Sequence, residues 1–231
     1  MKTNRFLLAA GISLAMAFTF SCDSGGGGDG TGGGSSSSGG PGPGGNSSSG
    51  GGGYTVCSGG GSGSTCTNFK TKKIGEQTWM AENLNCDVGV GVSKCYGDDP
   101  ACCAKYGRLY DWSTALTACP SGWHLPSGAE WDALMTAVGG SGTAGTKLKA
   151  TSGWNDDNGA SGNGTDDYGF SALPGGYGSL GVGYRGFWWS AREWEHDSDY
   201  AYYRGMDYNL SNVASTFNSK SYLFSVRCLQ D

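Results

Sequence analysis

The chain has 231 residues, 45 of them Gly, only 15% charged, with a formal net charge of -5. That length accommodates one domain with chain to spare, and the acidic balance argues against a nucleic-acid partner, which calls for a basic face. A mean hydropathy of -0.37 excludes a polytopic membrane protein, and 9 Cys point to an oxidising compartment.

Residues 1–22 read as an export signal: Lys2 and Arg5 precede an apolar run, Phe6–Phe20, too short to span a bilayer. Two cleavage readings stand. Thr19-Phe20-Ser21-Cys22 resembles a bacterial lipobox, in which Cys22 is acylated and becomes the mature N-terminus, although Thr19 stands where an aliphatic residue is usual. Ala15-Met16-Ala17 fits ordinary secretion. Cysteine parity favours lipidation, because removing Cys22 from 9 leaves an even number for disulfides. The expectation is an exported protein, lipid-anchored to the cell envelope and displayed at the surface of a Gram-negative bacterium.

Residues 23–64 are Gly/Ser-rich and carry one aromatic, Tyr54. Such a segment buries too little to offset its chain entropy and reads as a disordered tether. Thirty residues of it would span on the order of 30 Å root-mean-square. The glycine runs precede no Lys-Ser/Thr and hold no phosphate loop.

Residues 66–231 read as the folded domain. The first helix is expected over Tyr110–Leu116, with Trp112, Ala115 and Leu116 on one face and Pro120 as the stop. The second begins at the capping box Ser127-Gly128-Ala129-Glu130, after which Trp131, Leu134, Met135 and Val138 keep helical spacing until Gly139. Strands are expected at Lys73–Met80, Gly186–Ser190, Tyr200–Met206 and Ser221–Leu229, the last alternating Tyr222, Phe224, Val226 and Cys228 against Leu223, Ser225 and Arg227. Helices early and strands late make the fold class α+β.

Eight cysteines remain beyond Cys22, and 105 pairings are open to them. Their spacing does not form zinc knuckles. Cys119 and Cys228 are placed to clamp the two ends of the domain, worth about 4.7 kcal/mol for a loop of about 100 residues in the chain-entropy account.

Lys73-Ile74-Gly75-Glu76-Gln77-Thr78-Trp79-Met80-Ala81-Glu82-Asn83-Leu84-Asn85 resembles the Fibrobacter succinogenes major paralogous domain. So do Tyr106-Gly107-Arg108-Leu109-Tyr110-Asp111-Trp112, Cys119-Pro120-Ser121-Gly122-Trp123-His124-Leu125-Pro126, Phe170-Ser171-Ala172-Leu173-Pro174-Gly175-Gly176, Trp188-Trp189-Ser190-Ala191 and Ser225-Val226-Arg227-Cys228. The resemblance spans Lys70–Asp231. That family is similar in turn to the C-type-lectin-like fold, including its formylglycine-generating branch. It implies a small mixed sheet, two helices, long irregular loops, a disulfide-stabilised core, and bridges Cys119–Cys228 and Cys95–Cys103. Cys86 and Cys102 depart from the family pattern together and suggest an added bridge Cys86–Cys102, which leaves Cys57–Cys66.

For chemistry, His124 reads as a structural histidine in a buried strand and His196 as a loop residue. No Gly-x-Ser-x-Gly elbow is present, and Gly176-x-Gly178-x-x-Gly181 has no helix to open. No catalytic residue is assigned. Asn155, Asp156, Asp157, Asn158, Asp166 and Asp167 supply the hard oxygens calcium takes; the competing reading is turns closed by Asx side chains. Trp112, Trp123 and Trp131 read as core. Trp188, Trp189, Trp194 and Tyr202, beside Arg192 and Arg204, are the candidates for stacking on sugar rings or for protein recognition. The expected function is a non-catalytic binding or adhesion lipoprotein recognising an extracellular glycan or surface protein. The alternatives are a hydrolase or oxidase on the same scaffold, or a structural envelope component.

Overall fold

A computed structural model describes residues 68–231. Cys22, the tether and the expected Cys57–Cys66 bridge lie outside the described residues. In chain order the elements are β1 (Thr71–Ile74), β2 (Gln77–Met80), β3 (Ser93–Lys94), a 3-10 turn (Tyr96–Asp98), α1 (Pro100–Tyr106), β4 (Leu109–Tyr110), α2 (Trp112–Ala118), β5 (Trp123–His124), α3 (Gly128–Ala137) and α4 (Ser141–Leu148). After a long irregular stretch come β6 (Arg185–Glu193), β7 (Tyr200–Asp207), β8 (Ala214–Ser219), β9 (Phe224–Ser225) and β10 (Leu229–Gln230). The class is α+β. One sheet is ordered β1-β2-β10-β5; the other, β3-β4-β9-β6-β7-β8, is mixed because β6 and β9 run parallel.

The strand expected over Lys73–Met80 is a hairpin. Gly75 sits at φ +59, in the left-handed region that glycine enters without steric cost, and there the chain reverses so that Ile74 faces Gln77. The strand expected over Ser221–Leu229 is likewise two short strands in different sheets, β9 and β10. Ser225 and Arg227 are buried as deeply as Phe224, Val226 and Cys228, so this segment threads the core and the alternation of apolar residues does not mark a solvent face.

The helices number four among the described residues, not two. α2 begins two residues later than expected because Asp111 caps it, its carboxylate accepting the Thr114 N–H at 2.8 Å, while Tyr110 belongs to β4. Its buried face is Trp112, Thr114, Ala115 and Ala118; Leu116 is 40% exposed, off the face the sequence suggested. α3 carries the expected capping box with both hydrogen bonds formed, and Trp131, Leu134, Met135 and Val138 are buried. α1 is capped by Asp99 with Pro100 at its first position, a favoured start. α4 is poor in helix formers and owes its place to its neighbours. The carbonyls of Ser211 and Asn212 press on Gly145, where a Cβ would lie 2.7 and 2.6 Å from their oxygens.

The core has two halves separated by β6. Adjacent strand residues face opposite ways, so Trp189 packs with Met80, Tyr110, Trp112 and Phe224. Trp188 packs on the other side with Trp79, Trp131, Leu148 and Phe170. Both indole N–H groups are satisfied, Trp188 by Asn83 Oδ1 at 2.9 Å and Trp189 by the Tyr110 carbonyl at 2.8 Å. Cys119–Cys228 joins the end of α2 to the segment between β9 and β10, and Cys95–Cys103 joins the 3-10 turn to α1. Cys86 and Cys102 are also disulfide-bonded.

His124 is only half-buried and ties the C-terminal strand to α3. Its Nδ1 lies 2.6 Å from Asp231 Oδ1 and its Nε2 2.9 Å from Glu130 Oε1. Partial burial lowers the imidazole pKa, but the hydrogen bonds to Asp231 and Glu130 outweigh it, and the net shift is upward from 6.5. For Glu130, partial burial is outweighed by hydrogen bonds from Ser127 and His124, and the net shift is downward from 4.5.

Two outcomes follow. The Gly145→Ala protein is expected to lose about 1–3 kcal/mol by overpacking, although alanine is worth about 1 kcal/mol more than glycine in a helix; urea denaturation reads the sign. The histidine contribution is complete below its unfolded pKa and is lost as pH rises through the raised folded value. The Glu130 contribution is present above its unfolded pKa and is lost as pH falls through the lowered folded value. The stability difference between wild type and His124→Gln, about 1 kcal/mol or less for so exposed a cluster, is therefore largest between about pH 4.5 and 6.5 and shrinks on both sides.

Candidate functional site

The surface with the strongest chemical character lies where β6 runs out and β7 pairs with the edge strand β8. Between Trp189 and Glu193 the pairing with β7 slips, since Trp189 faces Tyr203 while Glu193 faces Ala201. Such irregularities bend a strand and re-aim its side chains. Beyond them Arg192 is exposed and Trp194 half-buried. On β7, Tyr200, Tyr202 and Arg204 share one parity. On β8 the partner of Tyr202 is Phe217, and the partner of Arg204 is Ser215.

These side chains meet. Trp194 stacks on Phe217 with ring centroids 4.0 Å apart and planes within 9°. Tyr200 and Tyr202 meet Phe217 edge-on at 6.0 and 6.1 Å. The Arg192 guanidinium lies 4.4 Å from the centre of the Tyr202 ring, a cation–π contact, and also pairs with Glu195 at 3.1 Å. The Glu195 carboxyl is held below its usual range by a backbone N–H and by the Arg192 charge. His196 packs 5.3 Å from Trp194. Phe217 remains 38% exposed.

Of the six residues singled out for recognition, three belong to this surface: Trp194, Tyr202 and Arg192. Trp188 and Trp189 do not, because β6 is covered on both faces and both indoles are fully buried. Arg204 is buried too. It donates from Nη1 to Ser215 Oγ and from Nη2 to Asp132 Oδ1 at 2.7 Å and the Gly128 carbonyl at 3.2 Å. Burial pulls its pKa down, and the Asp132 carboxylate opposes that pull. Arg204 thus fastens β7 to α3. Phe217 and Tyr200 were not among the six. Phe217 is a lone aromatic among Ser215, Thr216, Asn218 and Ser219, with no apolar alternation to mark a strand.

The oxygen ligands proposed for calcium do not converge. Asp166 accepts the Ser171 N–H at 2.7 Å and the Ser171 hydroxyl at 2.6 Å, closing a turn. Asp157 accepts from Asn158, Asp156 and Asp167 are exposed, and the Asn155 carboxamide lies against Gly183. Among the described residues no three His, Cys, Asp or Glu side chains gather to hold a metal ion. Asp166, closing its turn on Ser171, fits the Asx-turn reading. Trp154, at the head of that loop, is core, its indole N–H on the Ala172 carbonyl.

A cleft of about 620 Å³ lies elsewhere, between the chain at 68–72, the segment after β2 and the end of α1. Lys70, Lys72, Glu82, Lys105 and Asp166 line it alongside Asn83, Leu84 and Tyr106, so it carries both signs of charge. Neither histidine reaches it: both ring nitrogens of His124 are engaged as described, and His196 sits at the aromatic surface.

No curated protein and no solved structure matches the chain. The model of one family, described as the Fibrobacter succinogenes major domain, matches residues 73–230, from within β1 through β10. That match takes in both sheets, all four helices and the aromatic surface, and by it the chain belongs to the Fibrobacter succinogenes major domain family.

Proposed function

We propose that the chain is an exported lipoprotein, acylated at Cys22 and held at the cell surface by its Gly/Ser tether, whose folded domain binds an extracellular glycan without catalysing a reaction. The observation that carries this reading is the surface of Trp194, Tyr200, Tyr202 and Phe217 with Arg192 at its side. Aromatic faces with a polar rim suit the apolar face and hydroxyl edge of a sugar ring. A lectin-like scaffold agrees with the hydrogen-bonded pairing of β10 with β2 and β5, and with the Cys119–Cys228 bridge. A surface protein is the other partner such aromatics suit.

Two observations favour binding over catalysis. Carboxylates occupy both nitrogens of His124, which leaves none to activate a nucleophile. Every cysteine among the described residues is disulfide-bonded, so none offers the thiolate an oxidase would need. A hydrolase on this scaffold would place its chemistry in the larger cleft, where Glu82 and Asp166 both stand.

Retention of the protein on insoluble plant-wall polysaccharides is expected in the presence and absence of calcium. Trp194→Ala is expected to weaken retention about tenfold, the worth of one lost aromatic contact of about 1.4 kcal/mol. Trp188→Ala should instead lower folding stability by about 3–5 kcal/mol. Product release that Glu82→Gln abolishes, without retention, would establish the enzyme and end the binding reading. Intact-mass analysis of the membrane fraction tests the anchor, which requires a mature chain beginning at Cys22 with acyl groups attached.

A further inference from the structure

A second cavity, of about 330 Å³, opens along the same edge strand that carries Phe217. Val213, Ser215 and Phe217 are spaced two residues apart, the spacing that puts strand side chains on one face. Their contacts agree: Phe217 meets the ring of Tyr202, Ser215 accepts from Arg204, and Val213 and Ser215 line the cavity. The aromatic surface and the cavity are thus two ends of one strip. The four steps from Val213 to Phe217 cover about 13 Å at roughly 3.3 Å each. Arg192 lies alongside, over Tyr202 and near enough to Arg204 for their charges to repel.

The cavity wall is polar and balanced in charge. Arg204, with a side chain only 4% exposed, faces Asp132, whose side chain is 72% exposed, at 2.7 Å. Thr136 and Ser141 add two hydroxyls, and Met135 and Val213 an apolar floor. An anion entering here meets the exposed Asp132 carboxylate, and a cation meets Arg204 and Arg192. A neutral ligand rich in hydroxyl groups meets donors and acceptors of both kinds without opposing charge.

We infer that the strip along β8 is an extended groove for an uncharged glycan chain of several linked rings. One ring stacks at Trp194 and Phe217, and a later ring is hydrogen-bonded in the cavity by Asp132, Thr136 and Ser141. This inference rests on the glycan reading and adds to it the length and charge of the ligand. Recognition of a single sugar would need only the aromatic end; the cavity gives the site its preference for polymer.

The test is calorimetry of the full-length protein with cello-, xylo- and manno-oligosaccharides from dimer to hexamer, and with oligogalacturonides as the charged counterpart. Affinity for at least one neutral series is expected to rise tenfold or more between dimer and tetramer, with the oligogalacturonide of equal length bound at least tenfold more weakly. Thr136→Ala with Ser141→Ala should erase most of the gain from length and leave dimer binding unchanged, whereas Trp194→Ala should weaken every length. Asp132→Asn, which keeps a hydrogen-bond acceptor beside Arg204, should retain neutral binding and narrow the penalty against oligogalacturonide. Binding that is sensitive to Trp194 but indifferent to length or to the cavity variants would overturn the groove and leave the glycan reading standing. Failure of every oligomer and every insoluble polysaccharide to bind would overturn both.

Discussion

The buried Arg227 guanidinium is the constraint around which the domain closes. Among the described residues it makes no ion pair. It donates to the carbonyls of Met80, Phe170 and Ser171 and to Asn83 Oδ1, and it lies 4.3 Å over the Phe170 ring. Burial lowers its pKa to about 9, against the pull of Glu82 and Asp166, so it remains a cation at neutral pH. An uncompensated buried charge costs several kcal/mol, and here backbone oxygens from separate parts of the chain supply the compensation. Asn83 extends the arrangement, accepting from Trp188 as well as Arg227 and donating to the Tyr106 carbonyl. The chain after β2 and the 166–171 loop must be in place before both Arg227 Nη groups are paired, and Asn83 ties that arrangement to the end of α1 and to β6.

That arrangement explains why β6 cannot serve as a binding face. Trp188 is held by Asn83 on one side and Trp189 by the Tyr110 carbonyl on the other. Both faces of the strand are committed to core until it bends. Only past the slip in pairing do its side chains leave the core, and there the sheet ends at β8, with its outer edge unpaired within its sheet. Trp194, Tyr202 and Phe217 therefore stand on the chain after β6 and on the β7–β8 pair, at the edge of the sheet.

Arg204 links this surface to the helices. By joining Ser215 on β8 to Asp132 and Gly128 on α3, it holds the edge strand in line. Its charge is already matched by Asp132, so the local field is nearly neutral despite two arginines close by.

Much of the architecture was legible in local pattern. The capping box and the 131, 134, 135, 138 spacing define α3 without reference to anything distant, and the family resemblance drew on motifs that line both cores. The Cys119–Cys228 bridge was legible through the family resemblance, which implies a disulfide from the first helix to the last strand. Other features left no local trace. α4 carries a glycine where the carbonyls of Ser211 and Asn212 close on position 145, and Lys149 is buried because three carbonyls, of Asp207, Tyr208 and Leu210, receive its ammonium. Phe217 entered the site only through its pairing with Tyr202.

The amino-acid sequence by itself determined the α+β class, the capped helix α3 and a late cluster of aromatic residues, because propensity, capping and hydrophobic period act between near neighbours. Which aromatics face outward, and where Arg204 and Arg227 find their partners, were decided only in the tertiary structure. Burial is a property of the layers that cover a strand, and those layers come from residues tens of positions away.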